Sequence, residues 1–118
     1  MAELAGKLDS LREMVYARCV GYCEKCGGRL PESWALHHRQ LKSRGGKDVV
    51  ENLVALHHGC HNLDTDSVHF NPSHAQDKGL MVGSWQDPSE CPLTLPSGSI
   101  VMLTTEGTYK YLERKGNG

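Results

Sequence analysis

Two pairs of metal-binding residues at matched spacing constrain this chain most. Cys23 and Cys26 form a Cys-x-x-Cys, and His57 and Cys60 repeat the two-residue gap thirty-odd positions on. Such a gap lets both side chains of one tight turn point at a single ion. Two such turns complete a tetrahedral Cys₃His set, and thiolate with imidazole suits zinc. A closed set of four leaves no place for substrate, so its expected role is structural. His58 is an alternative fourth ligand, although the matched spacing favours His57. Cys19 and Cys91 lack pair partners and read as small buried hydrophobes.

The size of the chain makes such a staple useful. Its 118 residues fit a single domain, 1–118, and only 6% of them are aromatic. The odd count of five Cys argues against a disulfide framework. No stretch approaches a membrane span, and MAELAGKLDSLREMV lacks the apolar core of a signal peptide. The chain is expected to be soluble and cytoplasmic, with no membrane partner.

The expected fold class is α+β. Leu4, Leu8, Leu11 and Val15 fall at helical spacing and predict an amphipathic helix over 3–18. Residues 33–39 suit a strand. Lys42 to Asp48 reads as a polar loop, and Leu53 to Leu56 is an apolar run too short to type. His57 to Asn62 reads as a tight turn entering a helix. Asn71-Pro72 is a helix start, with Asn as cap and Pro at the first position, and that helix should end near Gly79. From Cys91 onward, apolar runs around Pro96-Ser97-Gly98 and alternating Tyr109 and Tyr111 predict a β-hairpin or small meander over 91–113.

The formal net charge is -1, which argues against a uniformly basic nucleic-acid binder. Arg39, Lys42, Arg44 and Lys47 nevertheless cluster, opposed only by Asp48, and a local patch can contact phosphates on a neutral molecule. Arg39, Lys42 and Arg44 are therefore candidate DNA-binding residues. A second constellation lies close by. His37 and His38 are adjacent, so on a strand they face opposite sides and should do different work. His61 follows Cys60 directly, so a zinc turn would fix its position.

The series Cys23-x-x-Cys26, His37-His38, Gly45-Gly46, Glu51-Asn52-Leu53-Val54, His57-x-x-Cys60-His61 resembles the HNH endonuclease family. The resemblance implies a ββα-metal core, placed over 19–70 with its zinc knuckle, and a metal-dependent DNA endonuclease leaving 5′-phosphate and 3′-hydroxyl ends. The catalytic trio would be His38, Asn52 and His61. His38 would be the general base, and Asn52 would tie the loop to the strand and orient it. His37 and His61 would hold the catalytic divalent metal, with Mg²⁺ or Mn²⁺ as the expected cofactor beside structural Zn²⁺. Several family members carry a further His four residues after the last one, where this chain has Thr65. The next candidate is His69, eight residues beyond His61 and about 12 Å away on a straight helix. It can join the site only if Asn62 to Ser67 loops out. Asp64 and Asp66 lie in that insert.

A looser resemblance, through Val68-His69-Phe70-Asn71-Pro72, Gly79-Leu80, Ser84-Trp85 and Asp87-Pro88, is to HNH proteins of actinobacterial phages. It implies DNA and a phage terminase as partners, and double-strand cleavage would call for a homodimer or sequential nicks. The rival readings are a non-catalytic zinc-stabilised module that binds DNA or protein, and a packaging accessory active only with terminase.

Overall fold

The computed structural model describes residues 2–115, with side chains described from Leu8 onward. The sequence features of Leu4 thus lie outside the described side chains. Helix α1 spans Ala2–Cys19. Its inward face follows the expected spacing, with Val15 fully buried and Leu11 packed against the core. It ends through Val20 and Gly21, both at positive φ, and the chain turns into the Cys23–Cys26 loop.

Strands β1 (Ala35–His38) and β2 (Leu53–Leu56) pair antiparallel, with His38 opposite Leu53 and His37 opposite Val54. All four residues of β2 are buried, because α1 covers this strand. That explains why the run shows no alternation: a strand covered on both faces loses the period-2 signal. The connection between β1 and β2 contains a 3₁₀ turn at Lys42–Arg44 and a second at Val50–Asn52.

After β2 the backbone forms a single wide turn at Gly59–Leu63, closed by the amide of Asp64 on the carbonyl of Gly59 at 3.0 Å. It is a π turn and not the start of a regular helix. Helix α2, Pro72–Asp77, begins at the expected Pro, but Asn71 makes no side-chain capping bond. It ends through Lys78 and the positive-φ Gly79, where an added Cβ would lie 2.0 Å from the Pro92 carbonyl oxygen. Only glycine fits that approach.

The last third of the chain forms a three-stranded antiparallel meander, β3 (Leu93–Thr94), β4 (Ile100–Leu103) and β5 (Tyr109–Glu113), in the order β3-β4-β5. Of the hairpin and the small meander that the sequence left open there, the chain forms the meander. Leu93, Val101 and Leu103 belong to the same apolar cluster as Val15, Leu53 and Leu56. A buried polar knot ties the pieces together. Arg18 donates to both Glu24 oxygens, at 3.1 and 2.8 Å, and to the carbonyls of Val50 and Leu53. Glu24 also accepts from the Ala55 amide and from the Tyr109 hydroxyl. With every partner present, the ion pair avoids the large cost of an unpaired buried charge.

Candidate functional site

Cys23, Cys26, His57 and Cys60 meet in space, with one ligand atom from each within 4.8 Å of all the others. The first knuckle is closed by Gly27 N–H on the Cys23 carbonyl, at 2.9 Å, with Gly27 at positive φ. Amides point at the sulfurs: those of Lys25 and Cys26 at Cys23 Sγ, and that of Gly28 at Cys26 Sγ, over 3.4–3.5 Å. Such donors stabilise negative sulfur. His57 Nε2 donates to the Arg29 carbonyl at 2.8 Å, which leaves Nδ1 as the lone-pair nitrogen. That Nδ1 lies 3.2 Å from Cys26 Sγ and 3.9 Å from Cys60 Sγ. Burial and the neighbouring sulfurs push the Cys60 thiol up to about 12, the direction that crowding sulfurs together imposes and that a cation among them would reverse. The donor set therefore fits a zinc ion held by these four residues. His58 is turned away and pairs with the Ser33 hydroxyl at 3.0 Å.

The second cluster forms about the end of β1. His37, His61 and His69 bring ligand nitrogens within 4.8 Å of one another. His61 Nε2 and His69 Nε2 are 3.1 Å apart. The ring centroids of His37 lie 5.1 Å from those of His61 and 5.5 Å from those of His69. The eight-residue gap closes because the chain does loop out. After the π turn it folds back on itself, and the amides of Val68 and His69 reach the carbonyls of Cys60 and His61 at 2.9 and 3.3 Å. Asp64 and Asp66 fall outside both ligand groups, and Asp66 instead meets Lys25 at 3.5 Å.

His37 is 1% exposed, and its Nε2 donates to the Leu80 carbonyl at 2.8 Å. This fixes the tautomer, so Nδ1 carries the lone pair. Burial holds the His37 pKa down to about 3, against only partial compensation from the Leu80 carbonyl, and burial also lowers that of His61. Three imidazoles converging on one point, one of them with its tautomer locked by a backbone carbonyl, are a donor set fit for a divalent cation.

His38 faces the other way, as adjacent strand residues must. Its Nε2 lies 2.7 Å from Asp48 Oδ1, and Asp48 also meets Lys42 at 3.3 Å. The His38 and Lys42 contacts hold the Asp48 carboxyl below its ordinary value. Asn52 is fully buried and bridges the whole loop: Oδ1 accepts from the Gln40 amide at 2.7 Å, and Nδ2 donates to the carbonyls of Gln40 and Lys47. Gly46 packs so closely on this loop that a Cβ would strike the Gln40 carbonyl oxygen at 1.7 Å.

The structure corrects the expectation for Arg39. Its side chain is 0% exposed and donates to the carbonyls of Gly79, Glu51, Pro88 and Cys91 at 2.7–3.1 Å. Arg39 is a buried clamp between segments and is not available to phosphate. Lys42 and Arg44 remain exposed on the β1–β2 loop. Sequence reasoning missed Asp48 as a partner of His38 and counted it only as an opposing charge.

With this geometry in view, the comparison with protein families is decisive for the central segment. Residues 23–67 match the HNH endonuclease family model. The HNH segment spans both cysteine-containing knuckles, β1, β2 and the π turn, and stops just before His69. No curated protein and no solved structure matches the chain. The HNH match supports a nuclease-type function acting on DNA. No described helix is long and apolar enough to cross a membrane.

Proposed function

We propose that this protein is a metal-dependent DNA endonuclease, with His38 as general base and His37, His61 and His69 as ligands of the catalytic divalent metal. The convergence of those three imidazoles at one point, with His38 on the strand's other side, carries this reading. Cys23, Cys26, His57 and Cys60 hold the structural zinc.

A bound Mg²⁺ or Mn²⁺ would supply charge stabilisation for the phosphate and the departing 3′ oxygen. The chain's own residues do the rest. His38 accepts a proton from the attacking water at the imidazole nitrogen left free by Asp48. With Asp48 accepting from Nε2–H, that nitrogen is Nδ1, and the carboxylate stabilises the imidazolium formed. Asn52 does no chemistry; its three backbone bonds hold the loop that carries Asp48 against β1. Hydrolysis breaks the bond from phosphorus to the 3′ oxygen and leaves 5′-phosphate and 3′-hydroxyl ends. Lys42 and Arg44 contact the flanking phosphates.

Phage origin and action beside a terminase remain part of this proposal through the looser sequence resemblance alone. Nicking of supercoiled plasmid tests the core reading. Cleavage with Mn²⁺ or Mg²⁺, abolished by chelator and by His38→Ala, is the expected result. A folded, zinc-loaded protein that binds DNA but never cleaves it, alone or with terminase, would favour the non-catalytic module.

A further inference from the structure

Lys42 and His38 share one acceptor. His38 Nε2 lies 2.7 Å from Asp48 Oδ1, and Lys42 Nζ lies 3.3 Å from that same oxygen. The other two groups are sheltered, with side chains 19% and 17% exposed for His38 and Asp48, while Lys42 is 62% exposed. The ammonium therefore draws on the charge of the oxygen that holds the base. A pair this open is weak and is broken readily by a competing anion. Lys42 also opens the 3₁₀ turn Lys42–Arg44, whose C-cap, Gly45, is left-handed with open space around it. Its four-carbon stem can leave Asp48 without disturbing β1.

We propose that Lys42 is a substrate-sensing tether, which moves from Asp48 to a DNA phosphate and so releases the carboxylate to act on His38 alone. This rests on the reading of His38 as the base. Before DNA arrives, Asp48 Oδ1 divides its charge between an ammonium and an imidazole. A flanking phosphate then offers Lys42 a stronger partner. With Lys42 gone, Asp48 interacts with His38 undivided, orients its ring and stabilises the imidazolium that forms as water loses its proton. No bond is made or broken in this step. DNA contact outside the reacting phosphate thereby raises the power of the base, and a substrate without flanking phosphates does not release it.

The test compares plasmid DNA with a small phosphodiester, thymidine 5′-(p-nitrophenyl phosphate), for the zinc-loaded full chain in Mn²⁺. Lys42→Met should raise kcat on the small diester about two- to fivefold, the scale of a lost exposed ion pair, while raising KM on DNA. Asp48→Asn should lower kcat on both substrates about ten- to a hundredfold with Mn²⁺ affinity unchanged. As a second readout, ¹⁵N spectra of His38 should shift when a cleavage-resistant phosphorothioate duplex binds the wild type. In Lys42→Met the shift should be present before DNA is added. Equal or lower small-diester turnover in Lys42→Met overturns the tether, as do His38 signals that ignore both DNA and the substitution. Absence of DNA cleavage by the wild type would instead remove the nuclease reading beneath it.

Discussion

At the residue scale, adjacent His37 and His38 are separated by the strand itself, one into a buried cluster and one toward Asp48. His38→Ala should keep its metal and bind DNA but cleave ~10²–10⁴-fold more slowly, the usual worth of a positioned base. His37→Ala should weaken metal affinity, with part of the activity recovered in excess Mn²⁺. A metal titration of nicking rate in both variants checks the pair. His37 also makes a pH prediction. Its folded-state value, about 3, lies below the ordinary imidazole value near 6.5 because burial disfavours the cation. The unfolded chain therefore binds the proton first. The stability contribution is complete above about 6.5 and is lost as pH falls toward 3. Denaturant midpoints of the metal-free catalytic site should fall over that window, and His37→Gln should flatten the decline. Arg39 belongs to stability too. Arg39→Ala leaves four carbonyls without their donor and should destabilise by about 3 kcal/mol or more, measured by chemical denaturation.

At the element scale, what was legible depended on whether the signal was local. The two metal pairs fixed both knuckles, because ligand spacing within one turn is a local property. The His37-His38 pair implied a strand with two faces. β2 was untypeable for a physical reason: Leu53, Val54, Ala55 and Leu56 are all buried, so alternation disappears. The place of His69 depended on how the backbone returns after the π turn at Gly59–Leu63, and spacing along a regular helix would put it out of reach. Arg39 misled because a basic residue within a basic run resembles a phosphate contact, whereas its four carbonyl partners come from distant segments. The exposed loop makes its own prediction. Replacing Lys42 and Arg44 together with Ala should weaken DNA binding and flatten its salt dependence by about 0.9 log unit per lost contact, measured by binding isotherms across salt concentrations.

At the scale of the whole molecule, one apolar cluster joins α1, the β1–β2 pair and the C-terminal meander, and the Arg18–Glu24–Tyr109 knot crosses all three regions. The meander is thus packed into the same core as the HNH segment. A zinc ion held by the Cys₃His group would fasten the two knuckles to that core, and His61 follows directly from Cys60 of that group. Two metals of different affinity should therefore separate experimentally. Mild chelation should stop cleavage and leave the circular dichroism spectrum unchanged, whereas removal of zinc should unfold the chain, since that binding energy is largely folding energy. Folded protein with no tightly bound zinc by elemental analysis would contradict this.

The most direct measurement is the single-turnover rate of supercoiled-plasmid cleavage against Mn²⁺ concentration, for zinc-loaded wild type and His38→Ala. The account predicts a saturable Mn²⁺ dependence in the wild type, and in His38→Ala the same half-saturating Mn²⁺ with the plateau lowered ~10²–10⁴-fold. A His38→Ala plateau equal to the wild type, or wild-type cleavage that persists with no divalent metal beyond the zinc, would contradict it.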